Sequence, residues 1–271
     1  MRARVATQMV DALASAAPLP PAATLWEAGR GTLYAALCNV PERCNERGLE
    51  PEEMLLERLV GRRIRLRKGE ALFRAGEKFT SLYAVRSGSC KTVLPGDDGH
   101  DQVAGYHMAG DIIGTDGIGA DRHDCEAIAL EDMETCAMPF ERLEDFARED
   151  IPFQRSLNRL LSREITRERR ITLILGTMHA DQRLATFLLD LAQRYQERGY
   201  SSVEFVLRMT REEIGSYLGL KLETVSRLFS RFHEEGLIQV HGRVVKLIDR
   251  VALKRIVGID GEGTCPRPAS L

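Results

Sequence analysis

The fold is decided by two adjacent stretches, Thr210-Arg211-Glu212-Glu213-Ile214-Gly215-Ser216-Tyr217-Leu218-Gly219-Leu220 and Glu223-Thr224-Val225-Ser226-Arg227. Thr210 and Glu213 have the Thr-x-x-Glu spacing of a capping box, so we predict that a helix begins here. Gly219 ends that helix, and apolar periodicity predicts a second helix from about Leu222 to Glu235. Two short helices separated by a glycine-containing turn are the pattern of a helix-turn-helix.

The second helix has an apolar side and a polar side. Its predicted inward residues are Leu222, Val225, Leu228, Phe229 and Phe232. Glu223, Ser226 and Arg227 follow an i, i+3, i+4 spacing and point outward together. In a major groove, Arg can pair with guanine, Glu can accept from the cytosine amino group, and Ser can adapt to either. The alternative is an ordinary surface ion pair between Glu223 and Arg227, but the two-helix context favours base contact.

The residues after the second helix predict a hairpin wing. Two apolar runs, 237–240 and 244–247, flank His241-Gly242-Arg243. Between Arg208 and Arg255 there are ten Lys or Arg against six Asp or Glu, in a chain whose net charge is −2. The positive charge therefore collects in the last quarter of the chain, where it favours a polyanionic partner.

Residues 64–140 have the pattern of an all-β domain. Short apolar segments alternate there with Gly, Asp and Ser, and the predicted strands are Ile64–Leu66, Leu82–Val85, Gln102–Tyr106, Glu126–Leu130 and Thr135–Met138. Many short strands at regular intervals indicate an antiparallel sandwich or barrel. Any other all-β module remains the alternative.

A long amphipathic helix is predicted from about Phe153 to Thr177. Its apolar stripe includes Leu161, Ile165, Ile171 and Leu175, and its other side is densely charged. A narrow stripe on a charged helix favours a two-stranded coiled coil, and hence a homodimer, over packing on its own domain, which remains the alternative. Glu168 lies within the stripe and is predicted to repel its symmetry mate.

Composition limits the class of protein. A chain of 271 residues with 44% hydrophobic content can form two modest domains. We expect no membrane segment, because no apolar run is long enough, and six scattered cysteines favour the reducing cytoplasm. The predicted divisions are an N-terminal extension (1–50), a β domain (51–148), a dimerisation helix (149–180), a winged helix-turn-helix (181–258) and a tail (259–271).

An enzyme and a purely structural dimer are the competing classes. Metal-dependent β-roll enzymes need clustered histidines with a carboxylate, whereas His100, His107 and His123 form no close pair at ligand spacing. The sequence also lacks a nucleophile motif and a phosphate-binding glycine loop. A structural dimer would not need the outward Glu223, Ser226 and Arg227. We therefore predict that the protein is not an enzyme.

These residues together resemble the CRP/FNR regulators, and the likeness extends upstream. Leu72-Phe73-Arg74-Ala75-Gly76-Glu77, the stretch 81–88 and Ala109-Gly110-Asp111-Ile112-Ile113-Gly114 look like the family's sensory β-roll. The resemblance implies an α+β chain with a cyclic-nucleotide-binding-like β-roll, a long dimerisation helix and a C-terminal winged helix-turn-helix. It also implies a homodimer on double-stranded DNA with TTGAT-like half-sites, and recruitment of RNA polymerase. Thr210, Arg211 and Lys221 complete the predicted DNA-binding set.

The resemblance also bears on the effector. Cyclic-nucleotide relatives hold a phosphate with a Glu and an Arg-Ser pair, where this chain has Asp116 and Asp124 in the corresponding stretches. Carboxylates make a poor anion site, so cyclic AMP is not the expected ligand, although a cyclic nucleotide or another small effector remains the alternative.

Within the family, the fumarate and nitrate reduction (FNR) regulators are the most similar, and these carry an oxygen-labile iron–sulfur cluster. Cys38, Cys44 and Cys136 match three of its four ligand positions, whereas the first falls on Ala35. A [4Fe-4S] cluster would therefore need a fourth ligand, from Cys90, Cys125 or elsewhere. A thiol–disulfide switch through Cys38 and Cys44, or no redox sensing, are the alternatives.

Overall fold

The computed structural model describes residues 59–96, 99 and 101–258. These residues form two compact units. One contains residues 59–173 together with Arg208–Lys221, and the other contains Ile174–Leu207 and residues 222–258. Cys38 and Cys44 lie outside the described residues. The predicted domain boundaries are not tested by this division and stay a prediction.

The first unit is built on a β-roll of two four-stranded antiparallel sheets, with strand orders β1-β8-β3-β6 and β2-β7-β4-β5. The eight strands are β1 Arg62–Leu66, β2 Ala71–Phe73, β3 Ser81–Ser87, β4 Ser89–Leu94, β5 Gln102–Met108, β6 Ile112–Ile113, β7 Glu126–Ala129 and β8 Met133–Pro139. A short 3₁₀ helix, Thr115–Ile118, follows β6. The predicted all-β domain is thus present, and all five predicted strands are found.

Successive side chains of a strand point to opposite faces of its sheet, so the buried residues of this unit form two separate cores. On β3, Tyr83 and Val85 face the core between the sheets, whereas Leu82 and Ala84 face the helices that follow the roll. On β8, Ala137 faces the core between the sheets and Cys136 faces the helices. Adjacent residues of one strand therefore lie in different cores.

The turn between β3 and β4 requires glycine. Gly88 has a φ of +81°, and a Cβ placed there would lie 2.6 Å from the carbonyl oxygen of Asp132. Both the positive φ and the close backbone approach exclude a side chain. The turn leads into β4. The hairpin of β4 and β5 makes the long-range contacts described below.

Two helices follow the roll, α1 (Phe140–Glu149) and α2 (Ile151–Thr177). Leu143 and Ala147 of α1 and Phe153 and Leu157 of α2 bury their side chains in the core on the helix side of the roll. The predicted long helix corresponds to α2. Helix α1 was not predicted, because its ten residues directly precede the longer apolar pattern of α2 and are short beside it.

The other unit contains the winged part of the chain. Its elements are α3 (Ala180–Glu197), β9 (Glu204–Val206), α5 (Leu222–Glu234), β10 (Ile238–His241), β11 (Val244–Leu247) and α6 (Arg250–Val257). The three strands form an antiparallel sheet in the order β10-β11-β9, and α3 packs against α5 and α6. The remaining helix, α4 (Arg211–Leu218), lies in the first unit. The predicted hairpin wing is confirmed as β10 and β11.

Two sequence expectations need correction. Leu222 was predicted on the inward face of α5, but it is 44% exposed, because it occupies the first turn, before the apolar stripe begins. Strands β2, β4 and β6 were not predicted, since each is short or carries polar residues. Within the described residues, no helix is long and apolar enough to cross a membrane.

Candidate nucleic-acid interface

The N-terminus of α4 is capped as its sequence predicts. The backbone N–H of Glu213 donates to Oγ1 of Thr210 at 3.2 Å, and the backbone N–H of Thr210 donates to Oε2 of Glu213 at 2.6 Å. These reciprocal bonds satisfy two backbone donors that would otherwise lack partners. Thr210 is exposed, and Arg211 is half-buried. Burial lowers the pKa of Arg211 to about 10, so its guanidinium stays charged at neutral pH.

The turn after α4 depends on Gly219. Its φ of +61° is in the left-handed region, and its N–H donates to the carbonyl oxygen of Ser216. The N–H of Leu220 donates to the carbonyl of Gly215 at 2.8 Å, which closes the helix end. Only two residues then precede α5, and one of them, Lys221, is exposed.

Helix α5 separates its apolar and polar residues sharply. Val225, Leu228, Phe229 and Phe232 are buried. Glu223, Ser226 and Arg227 are exposed in its first two turns, and Nε of Arg227 lies 3.3 Å from the carbonyl oxygen of Glu223. This arrangement presents one acid, one hydroxyl and one guanidinium to solvent at the end of a helix. Such a set can form hydrogen bonds with base edges.

Family comparisons cover both parts of this architecture. Residues 182–256 match the Crp-like helix-turn-helix domain, and residues 63–150 match the cyclic nucleotide-binding domain. The chain is also 44% identical over 226 residues to the transcriptional regulatory protein btr of Bordetella pertussis, covering 83% of this chain and 93% of that protein. The chain belongs to the CRP/FNR family of transcription regulators.

Further relatives support the same family membership. The fumarate and nitrate reduction regulatory protein of Escherichia coli is 36% identical over 233 residues, which are 86% of this chain and 93% of that protein. Among solved structures, FixK2 from Bradyrhizobium japonicum matches 73% of this chain and 98% of its own, with 30% identity and a TM-score of 0.67. These CRP/FNR relatives are transcription regulators and not enzymes, which confirms the predicted class of protein.

The β-roll of this CRP/FNR member holds an internal carboxylate at the predicted effector position. Oδ2 of Asp116 accepts hydrogen bonds from the backbone N–H groups of Asp124 (2.9 Å) and Cys125 (3.3 Å). Oδ1 lies 3.3 Å from Nδ1 of the buried His123, whose ring stacks on Phe73 with centroids 3.7 Å apart. Two backbone N–H groups of this stretch are therefore bonded to the chain's own carboxylate.

The described cysteines lie in different cores. Cys136 is 4% exposed on the helix-facing side of its sheet, whereas Cys90 and Cys125 are buried between the two sheets. Burial raises the pKa of all three thiols, and the charges of Arg63 and Arg86 partly offset this effect at Cys136. Within the described ranges, His, Cys, Asp and Glu form no group of three that is suited to a metal ion.

The predicted dimerisation residues lie along α2. Ile165 is 49% exposed and Glu168 is exposed, while Leu161, Ile171 and Leu175 are partly buried. Ile165 therefore leaves apolar surface exposed on a densely charged helix.

The β4–β5 hairpin makes a set of contacts with α4 that the sequence did not predict. Nζ of Lys91 lies 2.7 Å from Oε1 of Glu213, and the backbone N–H of Val103 donates to Oγ of Ser216 at 2.8 Å. These residues are more than 100 positions apart, and no local pattern links them.

Proposed function

We propose that the protein is a homodimeric, sequence-specific DNA-binding regulator that responds to oxygen or redox state. The single observation that carries this proposal is the exposed trio on α5, Glu223, Ser226 and Arg227, within a Crp-like helix-turn-helix domain. Relatives named as btr and as fumarate and nitrate reduction regulators support the regulatory role.

The proposed base contacts follow from hydrogen-bond chemistry. Arg227 donates two hydrogen bonds to O6 and N7 of guanine, Glu223 accepts from N4 of cytosine, and Ser226 adapts to its neighbour. An acid at this surface disfavours nonspecific phosphate binding, so its presence is better explained by base recognition. We propose TTGAT-like half-sites in a palindrome, about one helical turn apart, because each subunit of a dimer supplies one α5.

Phosphate contacts complete the proposed interface. Thr210 and Arg211 lie at the N-terminus of α4, where the helix dipole favours an anion. Lys221 is exposed in the turn and adds a positive charge. Such contacts fix the register of the protein on the duplex without contributing sequence preference.

The proposed homodimer forms through α2. Leu161, Ile165, Ile171 and Leu175 supply apolar surface, and Glu168 adds a repulsive charge that weakens association. A weak dimer is suited to control, because a sensor that shifts association also shifts DNA affinity. Recruitment of RNA polymerase through the bound dimer is part of the same proposal.

We propose an iron–sulfur cluster as the sensor. Among the described residues, Cys136 is the one that matches a ligand position of such a cluster. The thiol of Cys136 is buried on the helix side of the roll, where burial raises its pKa and the charges of Arg63 and Arg86 partly offset that rise. Cys90 and Cys125 lie in the other core, between the two sheets. When bound, an iron–sulfur cluster would supply an iron centre that oxygen breaks down. Cys38 and Cys44 would provide two further ligands, and a fourth must come from elsewhere.

A thiol–disulfide switch through Cys38 and Cys44 is the second candidate. The observation that favours it is Ala35, which stands where the matched pattern has its first cysteine.

Anaerobic purification tests these two sensors. A cluster predicts a brown protein with about four iron and four sulfide per chain, which bleaches in air. A colourless, iron-free protein whose Cys38 and Cys44 become oxidised in air supports the switch. If neither change occurs and air leaves DNA binding unchanged, the redox proposal is wrong.

Fluorescence anisotropy tests DNA recognition separately. We expect a duplex with a TTGAT palindrome to bind at least about 1,000-fold more tightly than a scrambled duplex at the same salt concentration. Equal affinity for both duplexes, in anaerobic and in oxidised samples, would contradict sequence-specific recognition.

A further inference from the structure

One carboxylate connects the β-roll to the start of the helix-turn-helix. Oε1 of Glu213 accepts a hydrogen bond from Nζ of Lys91 at 2.7 Å, and Oε2 accepts one from the backbone N–H of Thr210 at 2.6 Å. The Lys91 and Glu213 side chains are 18% and 19% exposed. The ion pair is therefore largely shielded from water, where charges interact more strongly than at an open surface.

The negative charge of Glu213 lies next to Thr210 and Arg211, the proposed phosphate-binding residues. Burial by itself would raise the pKa of this carboxyl, but hydrogen bonds from Lys91 and Thr210 outweigh burial and hold the pKa below its ordinary value. The group is thus ionised at neutral pH. An unpaired carboxylate beside Thr210 and Arg211 would repel the phosphate that we propose to bind there.

Other contacts hold α4 on the hairpin independently of Lys91. Oγ of Ser216 accepts from the backbone N–H of Val103 at 2.8 Å and lies 3.3 Å from the carbonyl oxygen of Asp101. The side-chain amide of Gln102 donates to the carbonyl of Ser216. Because these bonds use mainly backbone groups of β5 and the preceding loop, replacement of Lys91 removes the charge and leaves α4 docked.

We infer that Lys91 of the β-roll is a positioning residue for DNA binding. It neutralises Glu213 and holds that carboxylate on the Thr210 cap, so that Glu213 adds no second unpaired negative charge to that of the exposed Glu212 where a DNA phosphate meets the N-terminus of α4. The inference rests on the proposed DNA-binding function and extends its determinants to a residue outside the helix-turn-helix domain.

The first test replaces Lys91 in the full-length protein. Affinity for the TTGAT-palindrome duplex is measured by anisotropy at fixed salt, in whichever redox form of the wild type binds it. We expect Lys91→Met to weaken binding about tenfold and Lys91→Arg to retain it within about threefold. Lys68→Met removes an exposed lysine of the same roll and is the matched control, with unchanged affinity expected. Unchanged affinity of Lys91→Met would overturn the inference.

A double-mutant cycle separates charge from structure. Glu213→Gln removes the negative charge but keeps a side chain that serves a capping box. In the Lys91→Met background, we expect Glu213→Gln to restore most of the lost affinity, because the unpaired carboxylate is gone. If Lys91 touched DNA itself, or only docked α4, Glu213→Gln would change the affinity by the same factor in the wild type and in the Lys91→Met background, so rescue means a larger gain in the Lys91→Met background. Absence of rescue therefore overturns the inference.

Failure of the proposed DNA recognition can be distinguished from failure of the inference about Lys91. If the wild type shows no preference for the palindrome in either redox form, recognition itself is wrong. If the wild type binds specifically and Arg227→Ala loses that preference, recognition stands, and the Lys91 variants alone decide the inference. Thermal unfolding of each variant checks that the fold is intact.

Discussion

The carboxylate of Asp116 accepts hydrogen bonds from both the backbone N–H and the thiol of Cys125, each at 3.3 Å. The same oxygen accepts the backbone N–H of Asp124 at 2.9 Å. The turn therefore has its own anion, supplied by a residue nine positions earlier in the chain. This relationship governs both the stability of the turn and the ligands that the β-roll can accept.

We predict that Asp116→Asn destabilises the protein by about 1–3 kcal/mol, because four hydrogen-bond contacts lose their charged partner. Urea unfolding followed by circular dichroism measures this loss. Asp124→Asn, at an exposed neighbouring position, is the matched control and should change stability by less than about 0.5 kcal/mol. Equal effects of the two substitutions would show that the Asp116 contacts contribute little.

Cyclic AMP should not bind to the β-roll. Asp116 already accepts hydrogen bonds from the backbone N–H groups of Asp124 and Cys125, and a phosphate brought beside it would meet a like charge. Isothermal titration calorimetry with millimolar cyclic AMP should give no heat beyond dilution. Saturable binding, with an accompanying increase in DNA affinity, would assign the protein to the nucleotide-controlled members of its family.

Arg227→Ala should abolish the preference for the G-containing half-site. The loss expected for one bidentate arginine–guanine contact is about 1–3 kcal/mol, while weak salt-sensitive binding remains. Arg231→Ala is the control on the same helix, because Arg231 pairs with Asp181 and Glu235 within its own unit. Anisotropy with matched and base-substituted duplexes measures the preference. A retained preference in Arg227→Ala would contradict the assignment of α5 as the recognition helix.

Glu168→Ala should strengthen dimerisation in air. The carboxylate is exposed on α2 near Ile165, and at a symmetric seam it faces its own copy. Sedimentation velocity over a concentration series gives the dissociation constant, which we expect to fall about tenfold. Glu144→Ala on α1 is a control for the general loss of negative charge. Identical sedimentation of wild type and Glu168→Ala would argue against a seam at this position.

Cys90 and Cys125 should resist alkylation in the folded protein. Burial is the main cause that raises the pKa of both thiols, so the reactive thiolate is scarce at neutral pH and increases only as the pH rises towards the raised pKa. Iodoacetamide labelling at pH 7 and pH 9, read by peptide mass spectrometry, should leave both unmodified, whereas unfolded protein should be labelled fully. Rapid labelling of the native protein at pH 7 would contradict their burial.

Sequence pattern predicted the elements around α5 well. The Thr210–Glu213 cap, the break at Gly219 and the buried stripe of α5 all arise from interactions within a few residues, so their spacing is visible in the chain. The exception was Leu222, which the helical period placed inward although the first turn leaves it exposed. Strands β2 and β6 escaped prediction, because two or three residues show no period.

Capping and periodicity are local properties, so the sequence alone predicted the helix-turn-helix, its hairpin wing, the family and the side of α5 that carries Glu223, Ser226 and Arg227. Only the tertiary structure decided that Cys136 lies across a sheet from Cys90 and Cys125, and that Lys91 meets Glu213. These relationships join residues far apart in the chain, and they depend on strand pairing and helix docking that no spacing within one segment records.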